Sequence, residues 1–303
     1  DINQSDNKIT YSVMSKYIEQ KANINIDTMI CTYDLILELL FNFKQIETYK
    51  YIEKLPEKMK LAENYFINYK MKEAFPILKE LSVYGYSFAK YLLAMIYQEG
   101  YEGLEKNQLK KVQLAKEAYE AGDEVSAIFY ALFCSEDSKE KNNIYLEYKP
   151  QIAALAERGH IFAQYELGRC YINKTDEPEN YDKAFYWFEK SEEQGLFRAF
   201  HSLGIRYLNG QGVKQNYSKA LELLNKSANM GFFLAQEKIA FLYWNGEGVN
   251  EDKPEALKWY KKAAQQNHSW SIRMIGYYYK HNEKNYEKAV EYYEKASEFG
   301  LEA

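Results

Sequence analysis

Apolar positions in the C-terminal half of the chain recur with the 3.6-residue period of an α-helix. Along LAQEKIAFLYW, Ala235, Ile239 and Tyr243 fall at i, i+4 and i+8 and make one stripe. A second stripe follows in Ala256, Trp259, Tyr260, Ala263 and Ala264. No recognisable segment alternates with period two, so the pattern predicts helices and no sheet. Between the stripes, Gly246 and Gly248 supply the backbone freedom of a reversing loop, and Pro254 suits the first turn of the next helix. Small residues such as Ala235, Ala240 and Ala256 allow close helix approach, while Tyr243 and Trp259 fill space between layers.

This two-helix pattern is repeated. YLNGQGVKQNYSKALELLNKSA (207–228) matches YWNGEGVNEDKPEALKWYKKAA (243–264) 36 residues later. Ala163, Ala199, Ala235 and Ser271 keep that step, as do Gly159, Gly195, Gly231 and Asn267, and Ala184, Ala220 and Ala256. The last unit is three residues shorter, and upstream the step becomes 37, from Gly85 to Gly122 to Gly159. Gly195 and Gly231 are expected to end second helices. The pattern predicts seven hairpins, at about 58–84, 88–121, 125–158, 162–194, 198–230, 234–266 and 270–299. One hairpin cannot bury both of its stripes, but a stack can, so the repeated letters are packing instructions. Residues 1–57 are expected to form an N-terminal helical cap on the array at 58–303.

The order Ala, Leu-Gly, Tyr, Gly-x-Gly-Val, Lys-Ala, Trp-Tyr, Lys-Ala-Ala, Gly resembles the Sel-1-like repeat, a relative of the tetratricopeptide repeat. It stands here as AFHSLGIRYLNGQGVKQNYSKALELLNKSANMG (199–231) and AQEKIAFLYWNGEGVNEDKPEALKWYKKAAQQN (235–267). The match is specific from about Ala163 to Gly300, weaker from Lys58 to Gly159 and absent before that. The Gly-x-Gly-Val loop is missing near Asn173–Asn180 and His281–Asn285, and the cysteine pair of some secreted members is missing throughout. The resemblance implies an all-α, right-handed superhelical solenoid whose first helices line a concave face. Residues offset from the buried stripe are then its lining: Phe88, Tyr91 and Met95; Phe162, Tyr165 and Arg169; Arg198, His201 and Ile205; Glu237, Phe241 and Trp244; Trp270, Arg273 and Tyr277. Phe241, Trp244, Arg273 and Tyr277 are expected to cluster across two adjacent first helices. Trp, Tyr and Arg are the types that dominate binding hot spots. From these, the expected partner-binding residues are Tyr91, Tyr165, Arg169, His201, Glu237, Phe241, Trp244, Trp270, Arg273 and Tyr277.

Composition narrows the chemistry. With 39 basic against 44 acidic residues the net charge is −5, which gives no basic field for nucleic acid. The 30 tyrosines, with abundant Lys, Asn and Ile, read as the composition of an AT-rich genome. The run Met29–Phe43 is short and broken by Asp34 and Glu38, a core-facing helix and not a membrane span. Cys31, Cys134 and Cys170 lack framework spacing and read as small buried apolar residues. The glycine pairs lack the third glycine of a dinucleotide loop and the Gly-Lys-Ser/Thr ending of a phosphate loop. His160, His201, His268 and His281 form no metal motif, and no Ser/His/Asp or Cys/His arrangement stands out. Glu192 and Glu193 read as solvated surface. The start at Asp1 leaves a removed leader and a trimmed chain as open alternatives.

The expectation is a non-enzymatic, cofactor-free scaffold, a monomer or weak dimer, that binds another protein on its concave face. The resemblance implies scaffold or adaptor work, chiefly bacterial, in the periplasm or cytoplasm. One concrete form is an immunity protein neutralising a secreted toxin, which a start other than Met suits when periplasmic. The alternatives are a cytoplasmic regulatory adaptor and a weak hydrolase of cell-wall-type substrates.

Overall fold

A computed structural model describes residues 54–101, 104–174 and 178–299. The expected N-terminal cap and Cys31 lie outside the described residues, apart from the few positions leading into the first helix. The described residues form fourteen helices and no sheet: α1 Leu55–Ile67, α2 Met71–Val83, α3 Ser87–Glu99, α4 Gln108–Glu120, α5 Glu124–Phe133, α6 Ser138–Glu157, α7 Ile161–Lys174, α8 Pro178–Glu192, α9 Phe197–Asn209, α10 Tyr217–Asn229, α11 Phe233–Asn245, α12 Lys253–Ala264, α13 Ser269–His281 and α14 Tyr286–Glu298. They pair in sequence as seven hairpins, α1/α2 to α13/α14, each packed on the next.

Repeated sequence produces repeated end chemistry. Asn216, Asp252 and Asn285 precede α10, α12 and α14, and each side-chain oxygen accepts a backbone N–H three residues on, at 3.0, 2.8 and 3.0 Å. Pro254 sits in the first turn of α12. The two glycines of each loop do different jobs. Gly210 and Gly246 close α9 and α11 in the left-handed conformation, at φ 64° and 70°. Gly212 and Gly248 touch the preceding hairpin, where a Cβ would overlap the Tyr181 carbonyl and the Tyr217 side chain.

Packing within a hairpin rests on a second periodic position. Gly168, Gly204, Ala240 and Gly276 are 36 apart on the first helices. A Cβ at Gly168 would lie 2.7 Å from the Phe188 ring, at Gly204 2.7 Å from Leu224 Cγ, and at Gly276 2.9 Å from the Tyr293 ring. Each first helix thus offers a gap to a bulky side chain of its second helix. Buried polar groups bind across the same seams: Ser191 and Ser227 donate to the carbonyls of Ile161 and Phe197, at 3.2 and 2.8 Å. Gln164 and Gln236 donate to Ala156 and Ala228, at 3.0 and 3.1 Å. Tyr243, predicted to be buried, is only partly so.

The first hairpin reaches far along the array. Phe66, at the end of α1, lies 5.7 Å from Phe162 and 5.8 Å from Phe197. Tyr69, in the α1–α2 turn, sits 4.8 Å from Phe197 and 5.6 Å from Phe232, and its hydroxyl donates to Gln266 Oε1 at 2.6 Å. Its backbone is left-handed at φ 57°, a conformation that non-glycine residues adopt at a cost. Its ring lies against Gly231, where a Cβ would come within 3.0 Å. The turn therefore touches the fourth, fifth and sixth hairpins.

Two stability predictions follow from these contacts. Ala240→Leu puts a branched side chain into a fully buried gap and is expected to cost about 1–3 kcal/mol by chemical denaturation; an unchanged midpoint refutes the packing register. Tyr69→Phe is expected to cost about 1 kcal/mol for the lost Gln266 bond, and Tyr69→Ala about 3 kcal/mol for the vacated aromatic site. Equal costs for the two variants would show that the ring does not hold the turn.

Candidate functional site

The inner-face residues divide into a buried upper half and an accessible C-terminal half. In the upper half Tyr91 is fully buried, its ring 5.5 Å from Phe129 and its hydroxyl donating to Glu166 Oε1 at 2.9 Å. Arg169 Nη1 donates to the same oxygen at 2.9 Å, and its guanidinium lies 3.5 Å over the Phe133 ring. Tyr165 is 6% exposed and packs 5.6 Å from Phe188. Phe162 and Met95 are buried outright. Arg198 pairs with Glu99 at 2.7 Å. These positions do not line an open groove. Correcting the expectation for Tyr91 and Tyr165, both are core residues: Phe129 of α5 and Phe162 of α7 pack on Tyr91, and Phe188 of α8 packs on Tyr165. Arg169 faces the buried Glu166 and the Phe133 ring instead of solvent.

His201 marks the border. Half-buried, it stands edge-on to Phe232 at 5.3 Å. Burial, then the charges of Lys238, Arg198 and Arg206, push its pKa down to about 3, so the ring is neutral at physiological pH. Glu237, one hairpin later at the same register, has its carboxyl raised by burial and eased back by Lys238.

Beyond this border the expected cluster is partly assembled. Trp244 on α11 and Tyr277 on α13 meet at 5.7 Å, edge to face. Trp244 also reaches Tyr260 at 6.2 Å and Tyr278 at 6.3 Å, which ties it to the core. Arg273 lies not on Trp244 but over Trp270, at 4.1 Å. Phe241 carries Lys238 over its ring at 4.9 Å. Tyr277 stacks on His281 at 4.2 Å. Trp270 and Tyr277 are 39% and 42% exposed, large areas for aromatic side chains. Lys238, Lys253 and His281 were missed by the sequence reading. Helical spacing alone finds Lys238, three residues before Phe241, and His281, four residues after Tyr277. Lys253, 5.8 Å over Trp244, comes from the next helix and leaves no such signal.

Other chemistry is sparse. Among the described residues no group of three His, Cys, Asp or Glu is placed to hold a metal ion, and no helix is long and apolar enough to cross a membrane. Cys134 and Cys170 are buried, and burial pushes the Cys134 thiol up to about 11. An array of stacked hairpins with a half-exposed aromatic and cationic surface defines a helical-repeat scaffold of the protein-interaction type. The Sel1 repeat model matches residues 87–123, 161–196, 201–232, 234–268 and 271–300, more than half of the 303, and the chain belongs to the Sel1 repeat family. Arrays of this family are typically non-enzymatic.

No curated protein matches the chain. Among solved structures, a Sel1 repeat protein from Oxalobacter formigenes is 21% identical with a TM-score of 0.47, over 79% of this chain and 98% of that one. The protective antigen c5321 of uropathogenic Escherichia coli is 21% identical at 0.43, over 85% of this chain and 64% of its own. Immunity protein PA5088 of Pseudomonas aeruginosa is 18% identical at 0.45, over 71% and 83%. The family assignment rests on the repeat match and not on these distant likenesses.

The depressed histidines predict acid sensitivity. His201, held near 3, and His268, lowered to about 4 chiefly by burial, refuse protons that the unfolded chain accepts. Their contribution is therefore complete above the ordinary histidine value of about 6.5 and is lost as pH falls toward their folded values. The raised Glu237 carboxyl acts in the opposite sense, so the test is a difference. Between about pH 7 and pH 4, His201→Gln is expected to lose less melting temperature than the parent. Parallel curves would refute the assignment.

Proposed function

We propose that this chain is a non-enzymatic scaffold that binds a partner protein on the first helices of its last two hairpins, α11 and α13. The observation that carries the reading is the pair Trp270 and Tyr277, large aromatics left accessible where the rest of the inner aromatic row is covered. The first-helix rows run Phe162, Arg198, Leu234, Trp270 and Tyr165, His201, Glu237, Arg273, and most of their upstream members lie beneath the first hairpin or in ion pairs. A partner segment laid along α13 would meet Trp270, Arg273 and Tyr277 in succession, with Phe241 and Trp244 of α11 beside them. Within this reading the partner placed first is a secreted toxin held inactive, the role that the family resemblance suggests. Arg169, Tyr91 and Tyr165 take no part in it.

The test compares variants in capture from a lysate of the source organism. Trp270→Ala with Tyr277→Ala is expected to cost about 2 kcal/mol or more of binding, as hot-spot anchors do, while the melting temperature holds. Trp244→Ala is expected to lose both, because its ring also packs on Tyr260 and Tyr278. Undiminished capture by the double variant would place the contact elsewhere. For the toxin form, co-expression with the captured partner is expected to restore growth with the parent and not with the double variant.

A further inference from the structure

Charged side chains are distributed unevenly between the two faces of the array. On the second helices, lysines pair with neighbouring carboxylates: Lys190 with Glu193 at 2.8 Å, Lys219 with Glu222 at 3.0 Å, and Lys258 with Glu255 at 2.7 Å. The first helices of the last three hairpins carry Arg206, Lys238, Arg273 and Lys280, and among the described residues none of the four is in an ion pair. Upstream on the same face, Arg198 and Arg169 do have carboxylate partners, Glu99 and Glu166. The unpaired cations of the inner face, Lys238, Arg273 and Lys280, begin where that face opens, whereas Arg206 lies 5.8 Å over Tyr181 of α8 in the row of Leu242 and Tyr278.

The two arginines among them carry buried donors that have no partner. Arg206 has Nε and Nη1 buried without a hydrogen-bond partner, and Arg273 has Nε in the same state. A buried donor left unsatisfied costs free energy. Arg206, Lys238 and Arg198 all bear on His201, which places them in one neighbourhood. Arg273 and Lys238 lie over the rings of Trp270 and Phe241. Stacking on a ring fixes a cation yet leaves N–H groups for an acceptor. Lys280 is exposed and holds the register of Trp244 one hairpin on. The acid in this strip is Glu237, whose own carboxyl is raised by burial.

Resting on the docking reading above, the geometry points to an acidic partner segment: an extended or helical protein stretch that sets Asp or Glu carboxylates against Lys238, Arg273 and Lys280 and an apolar side chain against Trp270 and Tyr277. Carboxylates give Lys238, Arg273 and Lys280 the ion-pair partners that they lack, and a guanidinium receives a carboxylate in paired bonds. A nucleic acid would also find rings and cations here, but a chain of net charge −5 repels a polyanion over distances where a short acidic segment meets mainly the local strip.

The probe is a fluorescein-labelled synthetic peptide of alternating Glu and Leu, compared with one of alternating Gln and Leu, read by anisotropy on the full chain. The Glu peptide is expected to bind about tenfold more tightly, with the difference removed by high salt and by Lys238→Gln with Arg273→Gln. Lys280→Glu, at an exposed position, gives a second variant that leaves the fold untouched and is expected to weaken the same peptide. Equal affinity for the two peptides overturns the inference. So does tighter binding of a single-stranded oligonucleotide, or a dimer in sedimentation that Tyr277→Ala dissolves. If Trp270→Ala with Tyr277→Ala loses the native partner while the Lys238 and Arg273 variant keeps it, the acidic chemistry falls and the docking surface stands. If the aromatic variant keeps it, the docking surface itself falls.

Discussion

The regular hairpins of the array turn on one close contact, seen in the fourth, fifth and seventh, in which a first-helix glycine receives a bulky side chain from the second helix. Gly168 takes Phe188, Gly204 takes Leu224 and Gly276 takes Tyr293, each within 3 Å of where a Cβ would stand. The contact sets the distance between the two helices. That distance sets where the next hairpin can lie, so a 36-residue period in the letters becomes a repeated step in space. The seryl bonds recur with the same step and the glutaminyl bonds at twice it, and they give buried hydroxyl and amide N–H groups a partner.

A stack built this way leaves a curved inner face, and what covers it decides where a partner can go. Here the chain covers much of that face itself. Phe66 and Tyr69 lie against Phe162, Phe197 and Phe232, and the Tyr91–Glu166–Arg169 and Arg198–Glu99 groups form a buried polar layer beside them. Burying these charges is tolerable because they are paired, although Glu166 Oε2 and Arg198 Nε find no partner. The accessible surface is what the first hairpin leaves open, the first helices of the sixth and seventh hairpins beyond Phe232, against which Tyr69 packs. There the aromatics stay half-exposed and the cations unpaired.

Much of the architecture was legible because packing rules have a period. Alanine at 163, 199 and 235 and glycine at 210, 212, 246 and 248 are demanded by local geometry, so they recur wherever that geometry recurs. The hairpins could be read from the repeat, and the ends of two second helices from Gly195 and Gly231. Of the site, Trp244 with Tyr277 was legible from register alone. Arg273 was read onto the right face but not onto its ring, since stacking on Trp270 is a choice of rotamer and not of position. Tyr91 and Tyr165 were read as surface because helical periodicity tells which side of a helix a residue is on, not whether something else lies on that side.

By itself the sequence determined the helical class, the repeated hairpins and their glycine loops, all properties of residues near in the chain or related by the repeat. The tertiary structure alone decided which part of the inner face is open. That depends on Tyr69 meeting Gln266, a pair 197 residues apart. The first hairpin belongs to the part of the array where the repeat has decayed, and a contact made once between a decayed unit and a regular one has no period by which to be recognised.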